Sequence, residues 1–200
     1  VRKDGHSCQP RDERYVMSLK DLCVLDILPD ILEAGVMSLK IEGRMKTALY
    51  VATVARTYRK AIDDYLKDPK LYEANMEWYK EEIGKCTYRE FTTGFYFGKP
   101  GSDAQIYNSN TYVKNYTYLG TVEEADGKGR CRIEQKNKFS VGETIEIMKP
   151  DGRNLEVVVK SICDEDGNEQ ESAPHPKQIL WVDLGADVDK YDILRKKEDN

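Results

Sequence analysis

Two rhythms divide the chain. Up to about residue 100 the apolar positions recur every three or four residues, and beyond Gly101 they alternate one by one between turn signals. In the first part, Leu22, Leu25, Ile27, Leu28, Ile31 and Leu32 predict a helix behind a Ser18 N-cap with Asp21 at its third position. Pro29 interrupts it and Gly35 ends it, so one kinked helix and two short ones both satisfy the pattern. Val51, Val54, Ala55, Tyr58, Ile62 and Tyr65 predict a long helix from Thr47 to about Lys67, stopped by Asp68-Pro69. Its other face carries Arg56, Arg59, Lys60, Asp63 and Asp64 and reads as solvated surface. Leu71–Gly84 reads as a second, more polar helix, and Tyr15–Met17 and Val36–Glu42 as strands. Residues 1–14 read as a polar loop.

The order strand–helix–strand–helix with short connections is a βαβα unit, which demands parallel strands. Two parallel strands cannot bury both their faces. The strand edge within residues 15–42 is therefore expected to be covered, by further strands or by a second copy. In the second part the alternating runs are Tyr112–Glu123, Arg130–Gln135, Glu143–Met148, Leu155–Cys163, Gln178–Leu184 and Asp192–Arg195. Breaks such as Asp126-Gly127, Asp151-Gly152 and Asp166-Gly167 separate them, which predicts a small closed antiparallel barrel. Phe139–Glu143 resembles the entry to a barrel strand in translation-factor-type domains, a likeness of fold alone.

The run LKIEGRMK, Leu39–Lys46, holds the densest candidate chemistry. Alternation sets Met37, Leu39 and Ile41 on one strand face and Ser38, Lys40 and Glu42 on the other. Charges on a buried strand face are costly unless they line a site or pair with each other. A buried ion pair of Lys40 with Glu42 or Arg44 is the structural alternative. Glu42 is a candidate general base. Arg44 can fork onto a carboxylate or phosphate with two parallel hydrogen bonds, and Lys40 and Lys46 add positive field for an anionic substrate. Cys23 is a second candidate, because a helix N-terminus favours the thiolate, both nucleophile and metal ligand; an ordinary helix cysteine is the alternative.

A third candidate is the stripe Lys128, Arg130, Arg132, Lys136 and Lys138, preceded by Tyr107, Tyr112, Tyr116 and Tyr118. Arg130 and Arg132 share a strand face, with Cys131 and Ile133 behind them in the core. Cations with aromatic rings suit single-stranded RNA; a solvated outer barrel face with tyrosines packed at its rim is the alternative, favoured by the acidic balance nearby. Arg89–Phe97, REFTTGFYF, reads as a docking element between the two parts or as a wall of the substrate site.

Charge limits the RNA reading. The net charge is −5; residues 1–99 hold 17 basic and 16 acidic side chains, and residues 100–200 hold 14 and 20. Bulk charge thus gives the second part no general attraction for nucleic acid. The five cysteines are widely spaced without a CxxC, which argues against zinc and for a reduced, cytoplasmic setting. His6 and His175 are isolated in loop-like sequence, and no GxSxG is present. No apolar run approaches the roughly 20 residues of a membrane span. The chain opens on Val, which fits a fragment or processed chain.

Five ordered motifs carry a resemblance. Ser18–Cys23 (SLKDLC), Ser38–Lys46 (SLKIEGRMK), Tyr58–Tyr65 (YRKAIDDY), Arg89–Phe95 (REFTTGF) and Lys136–Gly142 (KNKFSVG) resemble the bacterial U32 family, whose members bear the name collagenase-like peptidases. The resemblance implies an α+β, multidomain chain. After the polar loop, residues 15–68 would be the terminal βαβα part of a (β/α)8-like barrel, with its catalytic mouth at the strand C-termini. Residues 69–100 would be a helical connector with its docking segment, and residues 101–200 a small antiparallel β-barrel lid. The family's larger N-terminal part has no counterpart here.

Relatives in the family include enzymes that hydroxylate tRNA wobble uridine, ribosomal RNA or quinone precursors, besides the peptidases. The KIEGR-type barrel followed by this lid is most similar to the tRNA-hydroxylation branch. That implies prephenate, a dicarboxylate, as hydroxyl source, and tRNA as partner. It also implies a [4Fe–4S] cluster in the full-length protein, with Cys23 as the last of four ligands. One cysteine cannot hold such a cluster, so none is expected in this chain, which should be inactive alone. A collagen-degrading endopeptidase and a non-catalytic RNA- or protein-binding lid are the competing readings.

Overall fold

The structure, a computed structural model, describes residues 19–106 and 112–198. The expected strand Tyr15–Met17, the Ser18 cap, Tyr107, His6 and Cys8 lie outside the described residues.

The chain enters through β1 (Asp21–Leu22), a 3-10 turn at Leu25–Ile27 and α1 (Leu28–Glu33). Pro29 sits in the first turn of α1, where its missing N–H costs nothing. Gly35 ends the helix with φ +82°, its N–H donating to the Leu32 carbonyl at 3.0 Å. α2 (Ala48–Lys67) is the longest element; the Thr47 hydroxyl caps it by accepting from the Tyr50 N–H at 3.4 Å. Asp68 closes it and caps α3 (Pro69–Ala74), accepting from the Lys70 N–H at 3.0 Å, and α4 (Met76–Ile83) follows. β2 (Phe91–Thr92) then returns to pair in parallel with β1, Asp21 opposite Phe91.

Val36–Glu42 is not a strand. No strand lies beside it among the described residues, so its main chain forms no ladder and the βαβα unit does not form. Leu39 still packs on the helical core, while Met37 is 100% exposed. The parallel pairing that does form uses β1 and β2, two residues each.

α2 buries a polar stripe beside the apolar one its sequence suggests, of which Val54, Tyr58, Ile62 and Tyr65 meet the helical core. Leu49, Thr53, Arg56, Thr57, Ala61 and Asp64 face inward, whereas Val51 is exposed. Polar side chains can do this because each is paired. The Thr57 hydroxyl donates to the Thr53 carbonyl at 2.7 Å. Asp64 accepts from Lys60, Asn75 and the Tyr79 hydroxyl at 2.8, 2.9 and 2.5 Å. Beneath α2 the helical core gathers Leu25, Leu28, Val54, Ala61, Tyr72, Tyr79, Ile83 and Cys86.

The second part is antiparallel throughout. Its strands are β3 (Tyr116–Ala125), β4 (Arg130–Glu134), β5 (Phe139–Ser140), β6 (Thr144–Met148), β7 (Asn154–Val158), β8 (Ser161–Cys163), β9 (Glu169–Gln170), β10 (Ser172–Ala173), β11 (Ile179–Asp183) and β12 (Ile193–Lys197). Eight of them form one curled sheet, a half-barrel, in the order β7-β6-β12-β3-β4-β11-β8-β9; β5 and β10 pair separately. Alternating residues fill the core, among them Leu119, Val122, Cys131, Ile133, Ile145, Ile147, Leu180, Val182 and Leu194. The run read as one strand, Leu155–Cys163, breaks at Val159–Lys160 and changes partners there, β7 lying on β6 and β8 on β11. The single closing ladder expected of a closed barrel is therefore interrupted at that corner. Gly129 allows the hairpin after β3 to pass Gly185 closely: a Cβ there would meet the Gly185 Cα at 2.7 Å.

The two parts meet on a buried ionic knot. Glu82 of α4, 1% exposed, accepts from Arg195 of β12 at 2.7 Å, from Asn154 at 2.7 Å and from Arg56 of α2. Arg56 also donates to the Lys149 carbonyl at 2.8 Å, and the Arg195 Nε to Glu146 at 2.6 Å. Burial alone would raise the Glu82 pKa, but Arg195 and Arg56 outweigh it and hold the carboxyl below its ordinary range.

Glu82→Gln leaves the buried Arg56 guanidinium without a carboxylate and Arg195 with Glu146 alone. It is expected to cost about 3–5 kcal/mol in urea unfolding. The sign with pH follows from the depressed pKa. The contribution is full above the unfolded carboxylate value of about 4.3 and is lost as pH falls through the lower folded value. A pH series of melts should show wild-type stability falling in acid and a flatter profile for the variant. Equal acid slopes for the two proteins would contradict this assignment.

Candidate functional site

Residues 36–46 run from the end of α1 to the cap of α2 without a ladder. With Leu22, the Tyr50–Tyr58 side of α2 and Tyr96 they line an open groove of about 1090 Å³. The groove gathers Lys40, Glu42, Arg44 and Lys46, as the sequence suggested, but gives them different tasks. Lys40, Glu42 and Arg44 are exposed on its wall, so a buried ion pair among them is excluded. Glu42 Oε1 accepts from the Arg44 N–H at 3.1 Å, which shapes the turn and leaves both Arg44 and Lys40 head groups in solvent.

Lys46 is occupied elsewhere. Its Nζ donates to the Thr87 carbonyl at 3.1 Å, lies 3.6 Å from Asp21, and sits 4.1 Å from the Tyr112 ring centroid and 5.0 Å from that of Tyr50. It clasps the α2 entry to β1 and to the segment before β3. Arg89 works beside it, donating from its main chain to Asp21 at 2.9 Å and from its guanidinium to the Tyr112 hydroxyl at 3.0 Å.

Cys23 is not in a helix. It follows β1, and its N–H donates to the Thr92 carbonyl at 2.9 Å, prolonging the parallel pairing. The helix-terminus argument for a thiolate therefore fails. The thiol lies 3.6 Å from the Tyr58 hydroxyl, which accepts from the Val24 N–H at 2.9 Å. Burial, then the neighbouring thiol, raises the Tyr58 pKa, so that hydroxyl stays protonated. Cys23 itself opens into a smaller groove of about 510 Å³ with Lys20, Asp26 and Lys80.

The described residues do not suit an iron–sulfur cluster. Cys131 lies in the sheet core, Cys86 in the helical core and Cys163 on β8, and no group of three His, Cys, Asp or Glu able to hold a metal occurs among the described residues. Cys23 would be a lone ligand.

The basic stripe is compensated in part. Arg132 lies 2.5 Å from Glu123 and 3.3 Å from Glu165, Lys136 pairs with Glu134, and the Arg130 guanidinium sits 5.8 Å from the Trp181 ring centroid. Of the stripe, Arg132 and Lys136 thus carry ion pairs, while Arg130 keeps its charge over an indole ring. Tyr58 and Tyr96 line the groove as well, Tyr96 within the Arg89–Phe97 segment whose sequence allowed a wall of the substrate site. Tyr58 looked like a helical core residue, and only its hydroxyl contacts show it joining Cys23 to the groove. Tyr96 itself did not stand out in that run of aromatics, whose one usable signal was Gly94, at φ +60° in a turn.

The cysteines give a direct check. Burial pushes the Cys86 and Cys131 thiols up to about 12, while Cys23 and Cys163 are half-buried. Maleimide labelling of the native chain at pH 8, mapped by mass spectrometry, should modify Cys23 and Cys163 first. Cys86 and Cys131 should react only after unfolding; labelling of Cys131 as fast as Cys163 would contradict the packing described.

Comparison with known proteins follows the same division of the chain. Residues 2–106 match peptidase family U32, and residues 114–195 match the peptidase family U32 C-terminal domain. Over 92% of its length the chain is 38% identical to tRNA hydroxylation protein P1 of Bacillus subtilis, covering 44% of that protein. It is 31% identical to tRNA hydroxylation protein P of Escherichia coli, over 91% of this chain and 40% of that one. A collagenase of Porphyromonas gingivalis is 36% identical over 61% of this chain and 32% of its own. The crystal structure of the C-terminal domain of a Geobacillus thermoleovorans U32 peptidase aligns at 32% identity and a TM-score of 0.38, over 41% of this chain and 92% of that one. The chain thus spans less than half the length of these curated relatives. By the match over residues 2–106, the chain belongs to peptidase family U32.

Proposed function

We propose that this chain is the C-terminal portion of a protein that acts in prephenate-dependent 5-hydroxylation of tRNA wobble uridine. The observation that carries the reading is the span of similarity. The Bacillus subtilis P1 and Escherichia coli P proteins, named for tRNA hydroxylation, align along nine-tenths of the chain, through both parts, whereas the Porphyromonas gingivalis collagenase aligns along 61%. The groove chemistry supports it. Arg44 and Lys40 stand exposed on one wall and suit a dicarboxylate, Arg44 by its planar fork and Lys40 as a point charge. Glu42 is the base on the same wall. Lys46, being clasped, positions that wall rather than meeting the anion.

The same reading makes the 200 residues inactive alone. Val36, Met37 and Met45 line the groove and are exposed, so water enters freely where a reaction on an anion needs exclusion. The remaining part of a family-length protein would cover this side and supply any further cluster ligands. The reading sets the protein in the cytoplasm with tRNA as partner. No helix among the described residues is long and apolar enough to cross a membrane.

A chimera tests it. This chain replaces the aligned region of the Bacillus subtilis tRNA hydroxylation protein P1 in a strain lacking its own copies, and tRNA is digested and analysed by mass spectrometry. The chimera should restore 5-hydroxyuridine-derived nucleosides. Arg44→Ala should lower them about tenfold or more, with Arg44→Lys between the two. Full modification with Arg44→Ala would remove Arg44 from the site. Gelatin cleavage without tRNA modification would favour the hydrolase reading.

A further inference from the structure

The groove wall has a second side. Leu22 and Tyr96 line both the groove and an adjoining, more apolar pocket of about 650 Å³. The floor of this pocket is the point where Leu19 bridges Gln105, with the Lys20 N–H donating to the Ala104 carbonyl at 3.2 Å. Its wall is the turn after β2, held by a hydrogen bond from the Gly94 N–H to the Thr92 hydroxyl at 3.2 Å and another from the Gly98 N–H to the Phe95 carbonyl at 3.1 Å.

Three features give this pocket a chemistry. Phe95, Tyr96 and Phe97 are 77%, 56% and 78% exposed on that turn, an aromatic surface held out from the core. Gln105 lines this pocket, whose other walls are largely apolar, and its Oε1, turned out of solvent, has no hydrogen-bond partner among the described residues. A glutamine amide presents an acceptor beside a donor, which matches the polar edge of a nucleobase. Lys20 and Lys99 stand at the rim, Lys20 also 2.9 Å from Glu90, and Lys40 and Arg44 lie across Tyr96 in the groove. Stacking faces, an unfilled amide acceptor and flanking cations are together what a single-stranded RNA segment requires.

We infer that this pocket takes one unstacked base of an RNA strand, packed against Phe95 and Tyr96, met at its edge by Gln105, with Lys99 and Lys20 towards its phosphates. The inference rests on the tRNA reading above and names where the RNA is held. It also puts the base beside the anion groove, with Tyr96 and Leu22 as their shared wall. Local charge selects this occupant over a second copy of the chain: Lys99 stands exposed beside the aromatic rings and Lys40 and Arg44 stand exposed across Tyr96, cations that complement a polyanion.

The test is binding by the 200-residue chain, read as fluorescence anisotropy of a labelled RNA stem-loop. The loop is either uridine-rich or abasic on the same backbone. Wild type should prefer the uridine loop by roughly tenfold or more. Tyr96→Ala should remove most of that preference without lowering the melting temperature, since the ring is largely exposed. Gln105→Leu should reduce the preference, and Lys99→Ala should weaken both loops alike. RNA binding that persists with its uridine preference intact in Tyr96→Ala and Gln105→Leu overturns the pocket and leaves the tRNA reading standing. Absence of RNA binding by wild type overturns the pocket, while the chimera decides the tRNA reading separately. A dimer in sedimentation that Tyr96→Ala dissociates would assign the pocket to a second copy and overturn the inference.

Discussion

A single carboxylate holds the architecture together. Glu82 sits where α2, α4, β7 and β12 converge, and it is ionised there because Arg56 and Arg195 reach it from opposite parts of the chain. Taking three charged groups out of water is costly, and their mutual attraction offsets the cost only when the geometry is met. An apolar cluster would tolerate sliding between the helices and the sheet; this arrangement does not. Asn154 fills the second carboxylate oxygen and the Lys149 carbonyl takes another guanidinium hydrogen, so few other placements satisfy all partners.

That constraint reaches the groove through α2. The helix is tied at Arg56 to the sheet, buries Ala61 and Val54 in the helical core, and presents Tyr50 and Tyr58 to the groove. Its first residues are fixed by the Thr47 cap and by Lys46 on Thr87 and Asp21. The wall that carries Arg44 is thereby referred to the same frame as the sheet, although residues 36–46 have no ladder of their own. For the anion site proposed above, a wall set on rigid neighbours would hold its cations in place until a ligand arrives.

Legibility along the sequence followed the range of the interactions. Period and turn signals are local, so α2 from about Thr47, the Gly35 stop and the alternating strands β4, β6 and β11 could be read directly. Val36–Glu42 alternates just as well, yet alternation says nothing about whether a partner strand is present. Arg56 and Asp64 looked like surface charges because the groups that make their burial tolerable, Glu82, Asn75 and Tyr79, are supplied by other helices. The β1–β2 pair is two residues long on each side and carries no period at all. Of the candidate site, the cluster of Lys40, Glu42 and Arg44 on one wall was legible. The diversion of Lys46 to Thr87, Asp21 and Tyr112 was not, because it depends on contacts far along the chain.

The separation of Glu82 from Arg195, 113 residues, has a consequence for biogenesis. A ribosome releases the helices long before it has made β12, and until then Glu82 lacks Arg195, one of its cationic partners. The nascent helical part must keep that carboxylate hydrated, which holds α4 loosely against α2. Locking therefore waits for the last strand, and a translation product that stops before Arg195 would carry an unmatched interior charge that quality-control proteases can recognise as unfinished.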